Sequence, residues 1–191
     1  MKYAFPLIIL LTLFGQLVAA GQSTQIYQYI EPRQQQFDTL FRALRYAPDQ
    51  PRAVKVEREI WMLWLQSGDR AIDDLMQQAI QARRWTEFER ALMLFNQVIT
   101  LQPDYSEVWN QRAIVHFYRG DFHQSLVDIS KTLELEPRHF GAMAGRGIIR
   151  LQQGKSALAV QNIKAAMQYH PYLQERYLFP FLLDEPEILA P

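Results

Sequence analysis

The chain has 191 residues, with 20 lysines and arginines balanced by 20 aspartates and glutamates, and it contains no cysteine. Because 49% of the residues are hydrophobic and only 21% are charged, the composition predicts one or two folded domains with a sizeable core. A net charge of zero argues against nucleic acid as the partner, since binding a polyanion needs a basic excess. The lack of cysteine excludes a disulfide, a thiolate nucleophile and a cysteine-based zinc site.

The first twenty residues have the features of a secretory signal. Lys2 gives a positive end, residues 3–18 are mostly apolar and uncharged, and Ala20 ends a run of small side chains. We therefore expect cleavage after Ala20 and an exported protein, in the periplasm if the source is a Gram-negative bacterium, with no membrane span after cleavage. An uncleaved membrane anchor is the alternative. The polar segment 21–36 is expected to be a flexible leader.

Two amphipathic segments follow the leader. Apolar residues at helical spacing predict a short helix near 37–44 and then a longer one, with a proline-containing break between them. We interpret residues 37–71 as a degenerate helical hairpin that covers the exposed face of the next unit. Trp61 and Trp64 are interpreted as packing residues of this hairpin rather than as a ligand-binding pair.

The rest of the chain repeats itself. The same residue types recur every 34 positions, as in the prolines at Pro103, Pro137 and Pro171. A period of this length predicts an array of antiparallel helix hairpins, with units at 72–105, 106–139 and 140–173. Small residues also recur in columns, which indicates close helix contact within each hairpin. These columns are Ala79, Ala113, Gly147 and Ala91, Ser125, Ala159.

The repeats resemble the tetratricopeptide repeat (TPR) family, whose pattern is W-x2-L-G-x2-Y, then A-x3-F, then P. The middle unit matches best, from Trp109 to Pro137, whereas the first unit has Thr86-Glu87 where Gly-Asp is usual. The resemblance implies an all-α fold, a TPR-type solenoid of antiparallel helix hairpins. The degenerate hairpin would precede its three TPR units, and a C-terminal capping helix and tail would follow at 174–191.

The spacing of apolar residues also predicts helix limits independently of the TPR resemblance. In the middle unit it predicts helices over 106–118 and 122–135, separated by Gly120-Asp121. The sequence also predicts two capping boxes, at Asp104-x2-Glu107 and Thr86-x2-Glu89. In a capping box, an N-cap side chain and an acid three residues later satisfy backbone N–H groups at the start of a helix.

The arginines of the repeats have two interpretations. Arg112 and Arg146 lie at equivalent positions where the TPR consensus has Leu, and Asp128 lies sixteen residues after Arg112. One interpretation is an Arg112–Asp128 ion pair within the hairpin. The other is a basic surface for an acidic peptide, formed by Arg112, Arg119, Arg146 and Arg150.

No sequence motif for catalysis is present. The four histidines lack the His-x3-His spacing of metal ligands on one helix turn, and they are His116, His123, His139 and His170. There is also no nucleophile elbow, no glycine-rich phosphate loop and no paired-carboxylate motif. We therefore expect no metal, no cofactor and no enzymatic activity. An enzyme with a site assembled across repeats is the minor alternative.

The TPR resemblance implies a concave groove lined by the first helix of each unit. Chaperone-binding TPRs have Lys, Asn and Arg in this groove to clamp a C-terminal carboxylate, and that set is missing here. We expect an apolar stripe with a few polar side chains to bind a partly hydrophobic protein or peptide segment. The alternative is that some of its isoleucines pack against the neighbouring repeat. The implied groove residues are Met76, Ile80, Arg83, Asn110, Ile114, Phe117, Tyr118, Ala144, Ile148, Leu151 and Gln152.

The C-terminal segment is unusually apolar for the end of such an array. Pro180 breaks any helix there, so we expect residues 179–183 either to fold back onto the array or to meet a second chain as a homodimer. The expected function is an exported, non-catalytic scaffold that binds a protein or peptide partner. The alternative is a structural subunit of a cell-envelope assembly, engaged through its terminal helices.

Overall fold

A computed structural model describes residues 32–183, and this part of the chain consists of helices and turns without a strand. The all-α prediction is confirmed. The predicted signal segment, the leader up to residue 31 and the tail from residue 184 lie outside the described residues. None of the helices within 32–183 is both long enough and apolar enough to cross a bilayer.

The first helix, α1, covers 32–45 and starts inside the predicted leader. Pro32 suits this start, because the first turn of a helix leaves backbone N–H groups without helical partners and proline has none to lose. The predicted leader is therefore too long by the residues 32–36. The chain divides into two compact units between residues 39 and 40, and all packing described below lies within residues 40–183.

The second helix, α2, spans Gln50–Trp64. Asp49 caps it by accepting a hydrogen bond from the backbone N–H of Arg52 at 2.8 Å. Its buried face includes Val56, Ile60 and Trp64. The predicted longer helix of the N-terminal hairpin is therefore present.

Three helix hairpins follow, one for each predicted unit. The first hairpin pairs α3 (Arg70–Arg84) with α4 (Phe88–Leu101). The second pairs α5 (Ser106–Tyr118) with α6 (Phe122–Leu135), which confirms the predicted limits 106–118 and 122–135. The third pairs α7 (Phe140–Gln152) with α8 (Ser156–Met167). Neighbouring hairpins pack through α4 on α5 and α6 on α7.

Small residues bring the two helices of each hairpin together. A Cβ atom added to Gly147 would lie 3.0 Å from the Ile163 Cδ1 atom, so the close contact of α7 with α8 depends on this glycine. Gly120 lies in the turn between the two helices of the second hairpin and has a left-handed φ angle of 78°. Gly154 lies in the same turn of the third hairpin, with φ 72°. Thr86 takes the equivalent position in the first hairpin at φ 59°, a region that a β-branched residue rarely adopts.

Both predicted capping boxes are wrong. α5 begins without a side-chain cap bond, and Glu107 turns into the interior because the buried donors there offer it partners. Before α4, Thr86 has a left-handed backbone conformation, and its hydroxyl donates a hydrogen bond to the carbonyl oxygen of Trp85 instead of capping the helix. Glu89, the other member of that box, pairs with Arg119 instead.

The C-terminal cap consists of two 3-10 turns, Gln174–Leu178 and Pro180–Leu183, rather than a regular α-helix. Phe179 and Leu182 are buried, so the expected fold-back of this segment is observed at these two residues. Phe181 remains exposed over 55% of its surface. Formation of a homodimer through this segment stays a prediction.

Candidate functional site

A pocket of about 330 Å³ lies on the face of the array formed by the first helices of the hairpins. Its floor comes from α5 and α7, where Ile114 and Phe117 face Ile148. Ser125 and Ile129 of α6 also contribute. The lining is mainly apolar, as expected of a surface that binds by burying hydrophobic side chains.

Six of the eleven predicted groove residues line this pocket together. They are Arg83, Asn110, Ile114, Phe117, Tyr118 and Ile148. The stripe therefore exists in its central part, in the second hairpin and at its borders with the first and third. That a partner binds there stays a prediction.

The other five predicted residues do not line the pocket. Met76 and Ile80 are buried in the core of the first hairpin, where they pack with Phe95. Ala144 is buried, and Leu151 and Gln152 are accessible but lie away from the pocket. The alternative interpretation, in which an isoleucine packs within the array, is therefore correct for Ile80. The burial of Ile80 cannot be read from a 34-residue period, because equivalent columns need not have equal exposure in every repeat.

Sequence reasoning missed two pocket residues from outside the repeats. Trp61 of α2 lines the pocket, next to Gly141 at the start of α7. A Cβ atom at Gly141 would come within 2.8 Å of the Trp61 ring, so a glycine is required for this contact. Glu175 of the first 3-10 turn lines the pocket as well. In the sequence, the only sign of this close approach is Gly141 itself, near the start of α7.

The N-terminal hairpin does not pack as predicted. Instead of covering the first hairpin alone, α2 places its aromatic side chains on the third. Trp64 stacks on the His139 ring with centroids 3.9 Å apart and an interplanar angle of 2°, and it also contacts Phe140. Phe41 of α1 meets Phe140 edge to face, with ring centroids 6.4 Å apart. Trp61 and Trp64 are thus packing residues, as interpreted, but the surface that they cover belongs to α7.

A buried polar network supports this aromatic contact. Glu107 and His139 are both fully buried, and the Glu107 carboxylate lies 2.8 Å from His139 Nε2. His139 Nδ1 accepts a hydrogen bond from the backbone N–H of Ala142, so Nε2 carries the proton and donates to Glu107. Asn110 and Gln111 donate to the same carboxylate at 3.2 and 2.6 Å. The network ties α5 to the start of α7 at the edge of the pocket.

The arginines at the predicted basic surface are engaged within the chain. Arg112 donates to both Asp128 carboxylate oxygens, from Nε at 2.8 Å and from Nη2 at 2.7 Å, which confirms the predicted ion pair. Arg119 pairs with Glu89 at 2.6 Å, and Arg146 donates to the Asn162 side chain. The hypothesis of a free basic surface is therefore not supported.

Two charged pocket residues differ from these arginines. Arg83 and Glu175 make no side-chain hydrogen bond or ion pair with any residue in the range 32–183, and Arg83 Nε is buried without a partner. Burial lowers the pKa of the Arg83 guanidinium below its ordinary value. Both side chains are half-buried at the pocket.

The titratable side chains of the second hairpin pair with one another. Within residues 32–183 no three His, Asp or Glu side chains gather as metal ligands. His116 lies 3.8 Å from Asp128, but Arg112 already occupies that carboxylate. Burial lowers the pKa of His116, which favours its neutral form beside this pair.

Comparison with known proteins identifies the family. No family model matches the chain. A TPR repeat-containing protein of Rhizobium etli, however, is 35% identical over 137 residues, which make up 72% of this chain and 67% of that protein. The chain belongs to the TPR repeat-containing proteins. The predicted resemblance is confirmed.

Solved structures with the same fold include TPR proteins of distant sequence. The Sgt2 TPR domain from Aspergillus fumigatus has a TM-score of 0.54 at 14% identity, covering 62% of this chain and 83% of that one. The translocator chaperone SycD of Yersinia enterocolitica type III secretion has a TM-score of 0.53 at 13% identity, covering 63% and 90%. The TPR2B domain of yeast Sti1, in complex with pHsp70, gives 0.50 at 14%, covering 63% and 91%. At such identities the likeness concerns the TPR fold alone.

Proposed function

We propose that this TPR protein is an exported, non-catalytic scaffold that binds a segment of a protein or peptide partner in its concave groove. The observation that carries the proposal is the apolar pocket of about 330 Å³ between α5 and α7, which contains six of the predicted groove residues. A pocket of this size accepts one or two bulky apolar side chains. The yeast Sti1 domain in complex with pHsp70 and the chaperone SycD share the fold, which is consistent with protein binding.

The groove part of the proposal is tested by co-purification with a matched pair of variants. Ile114→Arg places a charge in the pocket, where its desolvation opposes binding of an apolar segment. Val127→Arg makes a similar change on α6, at a side chain that is 49% exposed and does not line the pocket. We expect the co-purifying partner to be lost with Ile114→Arg and kept with Val127→Arg, at unchanged helicity. Equal recovery of the partner with both variants would exclude the groove.

The export part of the proposal rests on the first twenty residues. Expression of the full-length chain in a Gram-negative host, followed by fractionation and N-terminal sequencing, provides the test. We expect a periplasmic protein whose first residue lies near Gly21. A protein that starts at Met1 and stays in the cytosol would refute export without affecting the groove.

A structural subunit of an envelope assembly is the second candidate. It is favoured by three exposed apolar side chains on the C-terminal turns, Tyr177, Leu178 and Phe181, which are about half exposed. The double substitution Leu178→Ser with Phe181→Ser removes two of these three side chains while leaving the buried Phe179 and Leu182 in place. Loss of self-association or of the partner in this variant would favour the second candidate, and no change would favour the groove.

A further inference from the structure

We infer that the pocket selects a partner segment in which a bulky apolar side chain has an acidic residue on one side and a basic residue on the other. Arg83 receives the acid and Glu175 receives the base. The inference rests on the proposed function and adds the charge pattern and the orientation of the segment.

The first step is the position of the two charges. Arg83 comes from α3 in the first hairpin, and Glu175 comes from the 3-10 turn that packs on α8 after the third hairpin. In the array, α5 packs on α3 and α7 packs on α5, so both floor helices lie between these two elements. The pocket therefore has a cation at one flank and an anion at the other.

The second step is that both charges are available. Arg112, Arg119 and Arg138 all have carboxylate partners, whereas Arg83 has no carboxylate at ion-pair distance within residues 32–183 and feels the Glu107 charge only from farther away. Its Nε group is buried and lacks a hydrogen-bond acceptor. The side chain as a whole is only half-buried, so a carboxylate from a ligand can pair with the accessible part of the guanidinium. Glu175 likewise has no cation at hydrogen-bonding distance among the described residues.

The third step is the apolar centre between the charges. Ile114, Phe117 and Ile148 form a surface that gains free energy by covering a Leu, Phe or similar side chain. Because Arg83 and Glu175 lie on opposite sides of the floor helices, a segment that reaches both charges runs across α5 and α7 rather than along them. Charges at the flanks of an apolar contact fix orientation and exclude segments of the opposite polarity.

The test uses a phage-displayed library of random ten-residue peptides, fused so that no C-terminal carboxylate is free, and selected on the full chain. We expect wild type to enrich peptides with an apolar residue between an acid and a base. Selection on Arg83→Met should lose the acid preference, and selection on Glu175→Gln should lose the base preference. Arg84→Met is the matched control, because Arg84 follows on the same helix but is exposed and outside the pocket.

A selected peptide is then synthesised with capped ends and its affinity is measured by fluorescence anisotropy. Replacing its acid by Gln should weaken binding to wild type about tenfold and binding to Arg83→Met less than twofold. Enriched peptides without this charge pattern, or a pattern that Arg83→Met leaves unchanged, would overturn the inference while leaving the groove function intact.

Two further outcomes concern the groove itself. If no peptide is enriched above the level obtained with Ile114→Arg, both the inference and the groove function are wrong. If wild type forms a dimer in sedimentation experiments and Ile114→Arg is monomeric, a second copy of the chain fills the pocket, and the inferred partner class is overturned.

Discussion

Glu107→Ala should destabilise the protein strongly, although the residue lies in the first turn of a helix where substitutions are usually mild. The Glu107 carboxylate accepts hydrogen bonds from His139, Gln111 and Asn110. Its removal leaves His139 Nε2–H fully buried without an acceptor. The side-chain amides of Asn110 and Gln111, two residues that are less than 10% exposed, also lose their acceptor. Each unsatisfied buried donor costs about 1–3 kcal/mol. We expect a total of about 3–5 kcal/mol, since the pocket edge allows water to reach part of the gap.

The comparison with two other variants separates this explanation from simple loss of packing. Glu107→Gln keeps one acceptor oxygen and the side-chain volume, so it should cost about 1–3 kcal/mol. Glu107→Leu removes every acceptor oxygen but keeps most of the side-chain volume. It should be about as unstable as Glu107→Ala, because His139, Gln111 and Asn110 still lose their acceptor.

Guanidinium unfolding followed by circular dichroism at constant m-value provides the measurement. A Glu107→Ala variant within about 1 kcal/mol of wild type would refute the reasoning. So would a Glu107→Leu variant that recovers most of the stability lost in Glu107→Ala, since the cost would then lie in lost volume rather than in unpaired polar groups.

Further predictions concern a strained turn, an ion pair and acid stability. Thr86→Gly should raise the free energy of unfolding by about 0.5–1 kcal/mol because it relieves the left-handed backbone, and Thr86→Ala, which keeps a Cβ atom, should not match it. Arg112→Ala should lower stability by about 2–4 kcal/mol, because the Asp128 carboxylate is buried, and Arg112→Lys should be intermediate. Hydrogen bonding to His170 lowers the pKa of Glu57 below its ordinary value of 4.5, so the pair stabilises the fold above that pH. Glu57→Gln should therefore lower the free energy of unfolding by about 1 kcal/mol or less, and this difference from wild type should shrink as the pH falls below 4.5. Urea unfolding at several pH values provides the measurement, and a difference that does not change with pH would contradict the explanation.

The repeat architecture could be predicted because it depends on local sequence. The 34-residue period, the small-residue columns and the breaks at Gly120 and Gly154 each constrain the backbone within one hairpin. The Arg112–Asp128 pair was predictable for the same reason, since both residues belong to one hairpin at a fixed separation.

The contacts between distant parts of the chain could not be predicted. Trp61 reaches Gly141 and Trp64 reaches His139 across more than seventy residues, and no periodicity relates α2 to α7. Glu107 was misread as a capping residue because its sequence position suits a cap, whereas its buried partner His139 lies on another hairpin. Tertiary partners override local preferences at such positions.

Photocross-linking from Tyr118 tests the central claim, that the partner binds in the pocket between α5 and α7, most directly. Tyr118 lines the pocket and is 62% exposed, and Tyr177 on the C-terminal turn is 49% exposed outside it, so p-benzoylphenylalanine at either position is a mild replacement. With the co-purified partner, we expect a cross-link from position 118 that disappears in the Ile114→Arg background, and none from position 177. A cross-link from position 177 alone would contradict the account and place the partner on the C-terminal turns.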